Sequence, residues 1–273
     1  MKPFHRAGSG EPLVLVHGFA NSWRVWEPVL PALERSFDVL APTLAGHHGG
    51  DPLSGQATMD AVADALESRM DEAGFETAHI AGNSLGGWLA LELARRGRAR
   101  SVVCLAPAGG WAAGGRAERR LAFLFRLGRR LDAFLEPRAA RLMRRPGLRK
   151  LLLGQMMEHG DRLTPEQAAA RFTASAGCSV YLPLMKSILE VGPPDWSDGV
   201  DTPVLIAWPE FDRVLVERTC SEGFRRMPGV EWRTLEGTGH VPMGDDPDLV
   251  VRTIEEFAAR ARVSEEAGTG AGP

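Results

Sequence analysis

The sequence has few cysteines and no long apolar run. Its three cysteines, Cys104, Cys178 and Cys220, are widely spaced among 273 residues, leave one unpaired and form no ligand cluster. We therefore expect neither a disulfide framework nor a zinc site. The three cysteines are expected to be buried reduced thiols. No segment approaches the roughly 18 apolar residues that span a bilayer, and residues 1–6 lack the apolar core of a signal peptide. We expect a cytoplasmic protein.

A large excess of charge of either sign is also absent. The formal net charge is −3, which argues against nucleic acid as a partner. The hydrophobic share of 44% and the charged share of 25% are ordinary for a soluble globular protein. A chain of this length can form one large α/β domain, with or without an insertion.

Short apolar segments that alternate with helical patterns predict an α/β fold. The segments that we interpret as buried strands are residues 13–16, 37–41, 77–81, 101–105, 203–208 and 231–235. Strands that are apolar throughout are typical of a mostly parallel central sheet with helices on both faces. The carboxyl ends of such strands form the edge where ligands bind.

The alternation of strands and helices stops at Trp111. Residues 116–190 contain no convincing strand, and a helix break is predicted at Pro137. The helical patterns in this stretch are 117–134, 138–157, 165–175 and 179–190. We therefore predict an all-helical insertion.

These patterns divide the chain into four parts. The core is predicted at residues 1–110 and 197–263, with the helical cap at 111–196 between its two parts. The last residues, 264–273, are rich in Glu, Gly and Ala without an apolar face, and they predict a disordered tail.

The predicted cap begins with a strongly basic stretch. Between residues 116 and 150, twelve Arg or Lys residues face three acidic ones, with Leu and Phe residues interleaved. One interpretation is an amphipathic basic surface that contacts an anionic membrane or an acidic partner. The interpretation that we favour is a solvated cap helix whose apolar face lies on the core, so membrane contact is not expected.

The segment from Gly82 to Gly87, Gly-Asn-Ser-Leu-Gly-Gly, lies between a predicted strand and a predicted helix. A strand that turns sharply into a helix around Gly-x-Ser-x-Gly is the nucleophile elbow of α/β-hydrolases. Ser84 is then held in a strained backbone conformation, and only very small residues fit two positions before and after it. The N–H of Leu85, at the start of the helix, points toward any charge that forms beside Ser84.

An acid and a histidine follow the serine in the order that this fold requires. Asp212 comes just after the predicted strand 203–208, and His240 comes just after the strand 231–235. Because Ser84 also follows the carboxyl end of a strand, we expect the three side chains to converge at one edge of the sheet.

The proton chemistry of these side chains assigns their roles. His240 would accept the proton of the Ser84 hydroxyl, and Asp212 would orient the imidazole and stabilise its charged form. The backbone N–H groups of Leu85 and Phe19 would hold the oxyanion of a tetrahedral intermediate. The sequence therefore predicts nucleophilic catalysis by serine.

These motifs in this order resemble one known family. The chain is similar to the α/β-hydrolase fold superfamily, in its capped esterase-like and C–C-hydrolase-like branch, at His17-Gly18-Phe19, Gly82–Gly87, Asp212 and Gly239-His240. The similarity extends from about Pro12 to Ala261. It implies a Ser–Asp–His triad, a helical cap between the sixth and seventh core strands, and a substrate pocket between cap and core.

The chain departs from the family pattern at several positions. Only about eleven residues precede Pro12, so the usual first strand is short. The loop from Leu44 to Gly50 stands where the family usually reads Pro-Gly-x-Gly. The family often has Gly where Pro209 stands and Pro where Val216 stands. The last two differences lie in the loop that carries Asp212. Glu210 in the same loop is the alternative candidate for the catalytic acid.

Other histidines and aromatic residues have structural interpretations. His17 is expected to shape the turn after its strand, and the pair His47-His48 is explained by loop polarity better than by a metal site. Three aromatic residues are candidates for lining an apolar acyl pocket, with ordinary core packing as the alternative: Trp111, Trp196 and Phe211.

The leading hypothesis is a serine hydrolase that cleaves a small apolar carboxylic ester, or a related activated carbonyl, through an acyl-enzyme and without cofactor or metal. One alternative is C–C bond hydrolysis of aromatic ring-cleavage products, which Asn83 and the helical cap fit. Another is a small-molecule receptor or signalling protein of this fold with little turnover. Haloalkane dehalogenases and epoxide hydrolases are not expected, because those relatives use Asp where Ser84 stands. The oligomeric state stays open.

Overall fold

The computed structural model describes residues 2–269, and their side chains through Val263. The strands are β1 (Phe4–Gly8), β2 (Glu11–Val16), β3 (Phe37–Pro42), β4 (Ala78–Asn83), β5 (Ala99–Leu105), β6 (Val204–Pro209) and β7 (Glu231–Leu235). They form one sheet in the order β1-β3-β2-β4-β5-β6-β7. β1 is antiparallel to β3, and the other neighbouring strands are parallel. The prediction of a mostly parallel sheet is confirmed.

Burial explains the apolar sequences of the central strands. All side chains of β4 and β6 are buried. Side chains alternate along β2: Leu13 and Leu15 belong to one buried cluster, and Val14 and Val16 belong to another on the opposite face. β1 differs, because its side chains are half-buried or exposed. It therefore lacks an apolar run, and the sequence does not predict it as a strand.

Helices cover both faces of this sheet. They are α1 (Leu30–Leu33), α2 (Met59–Glu72), α3 (Leu85–Arg95), α4 (Arg116–Leu142), α5 (Pro146–Leu153), α6 (Pro165–Ala176), α7 (Tyr181–Val191), α8 (Glu217–Cys220), α9 (Pro242–Asp245) and α10 (Pro247–Thr269). α2 and α3 pack in the cluster that holds Val14, and α1 and α10 pack in the opposite one. Among the described residues, no helix combines the length and the apolar composition that crossing a bilayer requires.

The end of α10 differs from the prediction of a tail at 264–273. The helix continues through Thr269, and Glu265, Glu266 and Ala267 are residues that favour helix. Residues 270–273 lie outside the described part of the chain.

Helices α4 to α7 follow one another between β5 and β6. This insertion comes after the fifth strand of the chain, one strand earlier than the resemblance implies, because the described sheet has seven strands. We call residues 111–196 the cap. The all-helical character of this stretch agrees with the sequence pattern.

The predicted helix break at Pro137 is wrong, because α4 runs through this residue. A proline removes the hydrogen bond to the carbonyl four residues earlier, here that of Ala133. Both residues are exposed, so water can satisfy that carbonyl. Before the proline, Asp132 forms an ion pair with Arg171 of α6 at 2.8 Å. Glu136 accepts a hydrogen bond from Thr173 of the same helix.

The expectation that the apolar side of α4 lies on the core is only partly met. Leu121 is buried, but Phe123 and Phe134 are exposed. The helix therefore has apolar residues on two sides, one toward the core and one toward solvent.

Candidate active site

Ser84 lies at the turn between β4 and α3 with φ 57° and ψ −116°. A positive φ is strained for a residue with a side chain, and surrounding contacts must hold it. Here the N–H of Ser84 donates to the carbonyl of Leu105 at 3.0 Å. Its own carbonyl accepts from the N–H groups of Gly87 and Ala108, both at 2.9 Å. The turn is thus fixed from the helix side and from the end of β5.

The glycines around Ser84 leave no room for a side chain. A Cβ atom added to Gly82 would lie 2.1 Å from the carbonyl oxygen of Gly86. A Cβ atom on Gly86 would lie 2.0 Å from the carbonyl oxygen of Val16. Both clashes are with backbone, which cannot rotate away. The steric argument made from the sequence therefore has a direct structural basis.

His240 and Asp212 form a buried pair. The imidazole Nδ1 lies 2.8 Å from Oδ2 of Asp212, and both side chains are almost fully buried. The other carboxylate oxygen, Oδ1, accepts from the N–H groups of Val214 and Leu215, both at 2.8 Å. Because Nδ1 carries the proton in this arrangement, Nε2 of the neutral ring is left as the acceptor.

Glu210, the alternative acid, has other contacts. It accepts a hydrogen bond from the N–H of Gly237 at 2.9 Å, at an exposed site. Of the two candidate acids, Asp212 is therefore the one that contacts His240.

Asn83 connects the loop of His240 to the serine turn. Its amide Nδ2 donates to the carbonyl of His240 at 2.9 Å and to the carbonyl of Leu105 at 3.0 Å. Among the described residues, no hydrogen bond joins Ser84 Oγ to His240 Nε2. In enzymes without bound substrate such contacts are often long and shorten in the reacting complex.

The loop from His17 to Phe19 lies against the serine. A Cβ atom added to Gly18 would lie 3.2 Å from Cβ of Ser84. In the described part of the chain, the N–H groups of Phe19 and Leu85 donate to no other backbone group. Neither group is therefore used in a backbone hydrogen bond, and the oxyanion role that the sequence predicts for both stays a prediction.

His17 holds this loop through hydrogen bonds at both ring nitrogens. Its Nε2 accepts from the N–H of Leu44 at 2.9 Å, so Nδ1 carries the proton and donates to the carbonyl of Gly18 at 2.8 Å. Burial lowers the pKa of His17 to about 3, with a further decrease from the neighbouring His47. The ring is therefore neutral near pH 7, and its role is to shape the turn.

The pair His47-His48 is not explained by loop polarity alone. His47 is buried, and its ring lies 5.2 Å from that of His17. His48 packs against Gly177 at the end of α6. Among the described residues, no group of three His, Cys, Asp or Glu side chains could hold a metal ion.

A small cavity of about 40 Å³ lies beside Ser84, between cap and core. Its lining is almost entirely apolar and includes Phe19, Trp111, Leu121, Phe125 and Met185. Trp111 therefore stays a candidate for the acyl pocket.

The other two aromatic candidates lie elsewhere, and these two predictions are corrected. Trp196 is buried in the core, where its ring packs on Phe224 and its Nε1 donates to the carbonyl of Gly109. Phe211 is 40% exposed and follows β6 on the surface. Core packing and a surface loop account for them, because flanking a hinge or an acid in sequence does not fix where a side chain points.

A sequence profile of the alpha/beta hydrolase family matches residues 13–253, which is most of the chain. The chain belongs to this family. One relative of this α/β-hydrolase is Epoxide hydrolase EphH of Mycobacterium tuberculosis. It is 34% identical over 209 residues, which cover 74% of this chain and 98% of the relative.

Solved structures of similar fold include a thermophilic esterase from Thermogutta terrifontis and a meta-cleavage product hydrolase from Pseudomonas fluorescens IP01. Both have a TM-score of 0.72 and 23% identity. The esterase alignment covers 94% of this chain and 93% of that one, and the second alignment covers 94% of each. At this identity the likeness shows the fold alone. Together with the family match, it makes the chain a hydrolase of the α/β-hydrolase fold.

In this α/β-hydrolase, the cap is tied to the loop of His240 by Asp245, which the sequence interpretation missed. Its buried carboxylate accepts from the N–H of Gly239 at 2.7 Å and from those of Glu158 and His159 in the cap, at 3.0 and 2.6 Å. The N–H of Val241 also donates to the carbonyl of Met156 in the cap at 2.9 Å. The sequence does show an acidic residue five positions after His240. Its neighbours in sequence do not distinguish it from the acidic residues that lie on the surface nearby.

The cap of this α/β-hydrolase also contacts the loop of the acid. Arg213, the residue after Asp212, forms an ion pair with Glu158 at 2.7 Å. Arg120 of α4 donates to the carbonyls of Arg213 and Val214, at 2.7 and 2.9 Å. Both loops that carry the acid–histidine pair are therefore held by cap residues as well as by the sheet.

Proposed function

We propose that the protein is a serine hydrolase that cleaves small apolar carboxylic esters through an acyl-enzyme. The observation that carries the proposal is the buried pair of His240 and Asp212, whose loop is joined by Asn83 to the strained turn of Ser84. A serine hydroxyl needs a base to become a nucleophile, and a neutral imidazole oriented by a carboxylate is the usual one.

The proposed reaction has two halves. Ser84 Oγ attacks the acyl carbon while its proton moves to His240 Nε2, and the oxyanion accepts hydrogen bonds from the N–H groups of Phe19 and Leu85. The tetrahedral intermediate then breaks its bond to the alcohol oxygen, which leaves with the proton from His240. Water, deprotonated by His240, attacks the acyl-enzyme in the same way and releases the acid. Asp212 stays ionised and stabilises the imidazolium in both halves.

The lining of the cavity beside Ser84 favours a substrate whose acyl group is apolar. Its lining from the cap, including Leu121 and Phe125, offers almost no polar partner. A polar acyl chain would lose its hydrogen bonds to water there without replacement, which costs free energy. An apolar chain gains from the transfer.

Epoxide hydrolysis is the second candidate, because EphH is 34% identical across nearly its whole length. The chemistry of Ser84 argues for the ester. Attack by a serine oxygen on an epoxide carbon would leave an ether, which the same site cannot hydrolyse. Attack on an acyl carbon leaves an ester, which the second half of the reaction cleaves. C–C bond hydrolysis and a receptor role with little turnover are the remaining alternatives.

A fluorophosphonate probe tests for an activated serine. We expect labelling of the wild type and none of Ser84→Ala or His240→Ala. Ser101→Ala is a matched control, because Ser101 also has a hydroxyl 2.8 Å from a buried histidine nitrogen, that of His79. This variant should label like the wild type. Labelling that survives Ser84→Ala would exclude the proposal.

A substrate panel separates the candidate reactions. The wild type is compared on p-nitrophenyl esters of increasing acyl length, on an aryl epoxide and on a dienoate ring-cleavage product. Turnover of the esters with little turnover of the other two supports the proposal. Epoxide turnover that persists in Ser84→Ala would favour the second candidate. A folded wild type that reacts with no substrate and no probe would favour the receptor role.

A further inference from the structure

One side of α4 presents large apolar side chains to solvent. Phe123, Leu127, Leu131 and Phe134 are 65%, 52%, 49% and 67% exposed. Residues spaced by three or four positions lie on the same side of a helix, so these four form one stripe. We call it the apolar stripe. Single exposed apolar residues are ordinary on a protein surface, but a contiguous row of Phe and Leu is not.

Within the segment that carries the apolar stripe, residues 116–153, every exposed charged side chain is basic. In residues 116–153 the exposed charged side chains are Arg116, Arg119, Arg120, Arg126, Arg130, Arg138, Arg141, Arg144, Arg145 and Lys150. The three acidic residues of this segment, Glu118, Asp132 and Glu136, are half-buried or buried. None of the ten basic side chains takes part in an ion pair among the described residues.

The arginines share the side of the helix with the apolar stripe. Arg126, Arg130 and Arg138 follow Phe123, Leu127 and Phe134 at helical spacings of three or four. The guanidinium of Arg138 lies over the ring of Phe134, 5.7 Å from its centre. The cationic groups therefore surround the apolar rings and do not lie on an opposite face.

We propose that this outer side of α4 binds the surface of an anionic lipid bilayer. The Phe and Leu side chains would enter the boundary between headgroups and acyl chains, and the Arg side chains would reach the lipid phosphates. Basic and large apolar groups intermixed on one helix side suit a surface that offers negative charge and an apolar layer together.

The charges and apolar residues of this face argue against two other binding partners, a second copy of the chain and a nucleic acid. A second copy of the chain would bring two basic surfaces into contact, with no exposed acid from residues 116–153 to pair with them. A nucleic acid would satisfy the arginines but leave the apolar stripe in water. The chain as a whole has a net charge of −3, so its remaining surface is acidic and would face away from the bilayer.

The opposite side of α4 lines the cavity beside Ser84 through Leu121 and Phe125. Bilayer contact would therefore place that cavity one helix away from lipid. If the proposed esterase function holds, apolar esters dissolved in the bilayer are the substrates nearest to the site.

Cosedimentation with vesicles tests the proposal without any substrate. The full chain is mixed with phosphatidylcholine vesicles and with vesicles that also contain phosphatidylglycerol, at low and high salt. We expect binding to be at least about tenfold tighter with the anionic lipid at low salt. Ser84→Ala should bind equally well, which separates this result from the fate of the proposed reaction.

Two variants and two controls locate the contact. Phe123→Ser/Phe134→Ser and Arg126→Ser/Arg130→Ser/Arg138→Ser should each weaken binding about tenfold or more. Arg35→Ser/Arg218→Ser/Arg252→Ser removes three exposed arginines that lie outside the cap. Val263→Ser removes an exposed valine that also lies outside the cap. Both controls should bind like the wild type. Circular dichroism and thermal melting show that each variant folds.

Three outcomes would overturn the proposal. The first is no sedimentation of the folded wild type with anionic vesicles at low salt. The second is binding that the arginine variant loses and the phenylalanine variant keeps, which would indicate a general polyanion site such as one for nucleic acid. The third is a dimer in analytical ultracentrifugation that Phe123→Ser/Phe134→Ser dissociates while vesicles stay unbound.

Discussion

The carboxylate of Asp245 accepts a hydrogen bond of 2.7 Å from the N–H of Gly239, the residue that precedes His240. The same carboxylate accepts from two backbone N–H groups of the cap, those of Glu158 and His159. One buried anion therefore fixes the loop of the proposed base to the segment of the cap that follows α5. At this end the cap and the histidine loop are therefore joined through one side chain.

Asp245→Asn tests this support. An asparagine has one acceptor oxygen, and its NH₂ group would face a backbone N–H that needs an acceptor. We expect the free energy of unfolding to fall by about 2–4 kcal/mol, because charge-assisted hydrogen bonds are lost in a buried site. We also expect kcat on a good ester to fall more than KM rises, because the histidine loop shifts while the acyl cavity stays. Urea unfolding and steady-state kinetics measure the two effects.

Asp246→Asn is the matched control for that variant. Asp246 is half-buried, and within the described part of the chain its side chain accepts only from the N–H of Leu249 at the start of α10. This change should cost about 1 kcal/mol or less and leave kcat unchanged. Equal effects of the two substitutions on kcat would contradict a positioning role for Asp245.

Short-range patterns point to the residues of the candidate site but do not predict the contacts that support them. Ser84 is identified by its own neighbours in sequence, and Asp212 and His240 by the strands just before them. Asp245 is different, because its partners Glu158 and His159 lie more than eighty residues earlier in the chain. No local pattern shows that the cap will touch the histidine loop.

Two of the errors in secondary structure, at β1 and at Pro137, have the same origin. β1 is an edge strand whose half-exposed side chains do not form an apolar run, and its pairing with β3 is what makes it a strand. Pro137 lies in a helix that packs on α6. The contacts of Asp132 and Glu136 with that helix support the turn just before the proline. In each case tertiary contacts override the local preference that the sequence shows.

Asp212→Asn decides which acid orients the histidine. The asparagine oxygen can keep the hydrogen bonds from Val214 and Leu215, but its NH₂ group then faces His240 Nδ1. The imidazole would carry its proton on Nε2, the wrong tautomer for accepting the proton of Ser84. We expect kcat/KM to fall by about 10³ to 10⁴.

Glu210→Gln is the comparison for this substitution. A glutamine oxygen can still accept from the N–H of Gly237, and the site is exposed, so kcat/KM should stay within about threefold of the wild type. The reverse result, a large loss with Glu210→Gln and a small one with Asp212→Asn, would make Glu210 the acid.

Gly86→Ala tests the packing of the serine turn. The new Cβ atom would lie 2.0 Å from the carbonyl oxygen of Val16, so the turn or β2 must move. We expect a loss of about 3 kcal/mol or more, or no folded protein. Gly128→Ala is the control, because a Cβ atom there meets nothing within 4 Å and Gly128 lies inside α4. It should raise stability by about 0.5–1 kcal/mol. A Gly86→Ala protein that melts like the wild type would contradict this interpretation.

The buried histidines His17 and His47 predict a loss of stability in weak acid. Burial lowers the pKa of His17 to about 3 and that of His47 to about 4. An unfolded chain has histidine pKa values near 6.5. Below that pH the unfolded state binds protons that the folded state does not, so the free energy of unfolding decreases as the pH falls. The contribution is fully present above about pH 6.5 and is reduced by about 2 kcal/mol per histidine at pH 5.

His47→Gln isolates one of these contributions. Glutamine is neutral at every pH in this range, and its amide can still donate toward the carbonyl of Ala45, which the ring contacts at 3.3 Å. The other titrating groups are present in both proteins, and burial, the larger cause of the low pKa of His17, remains in the variant. The drop in unfolding free energy between pH 7 and pH 5, measured by urea unfolding, should therefore be about 2 kcal/mol smaller in the variant. An equal drop in the two proteins would mean that His47 is protonated in the folded state at pH 5.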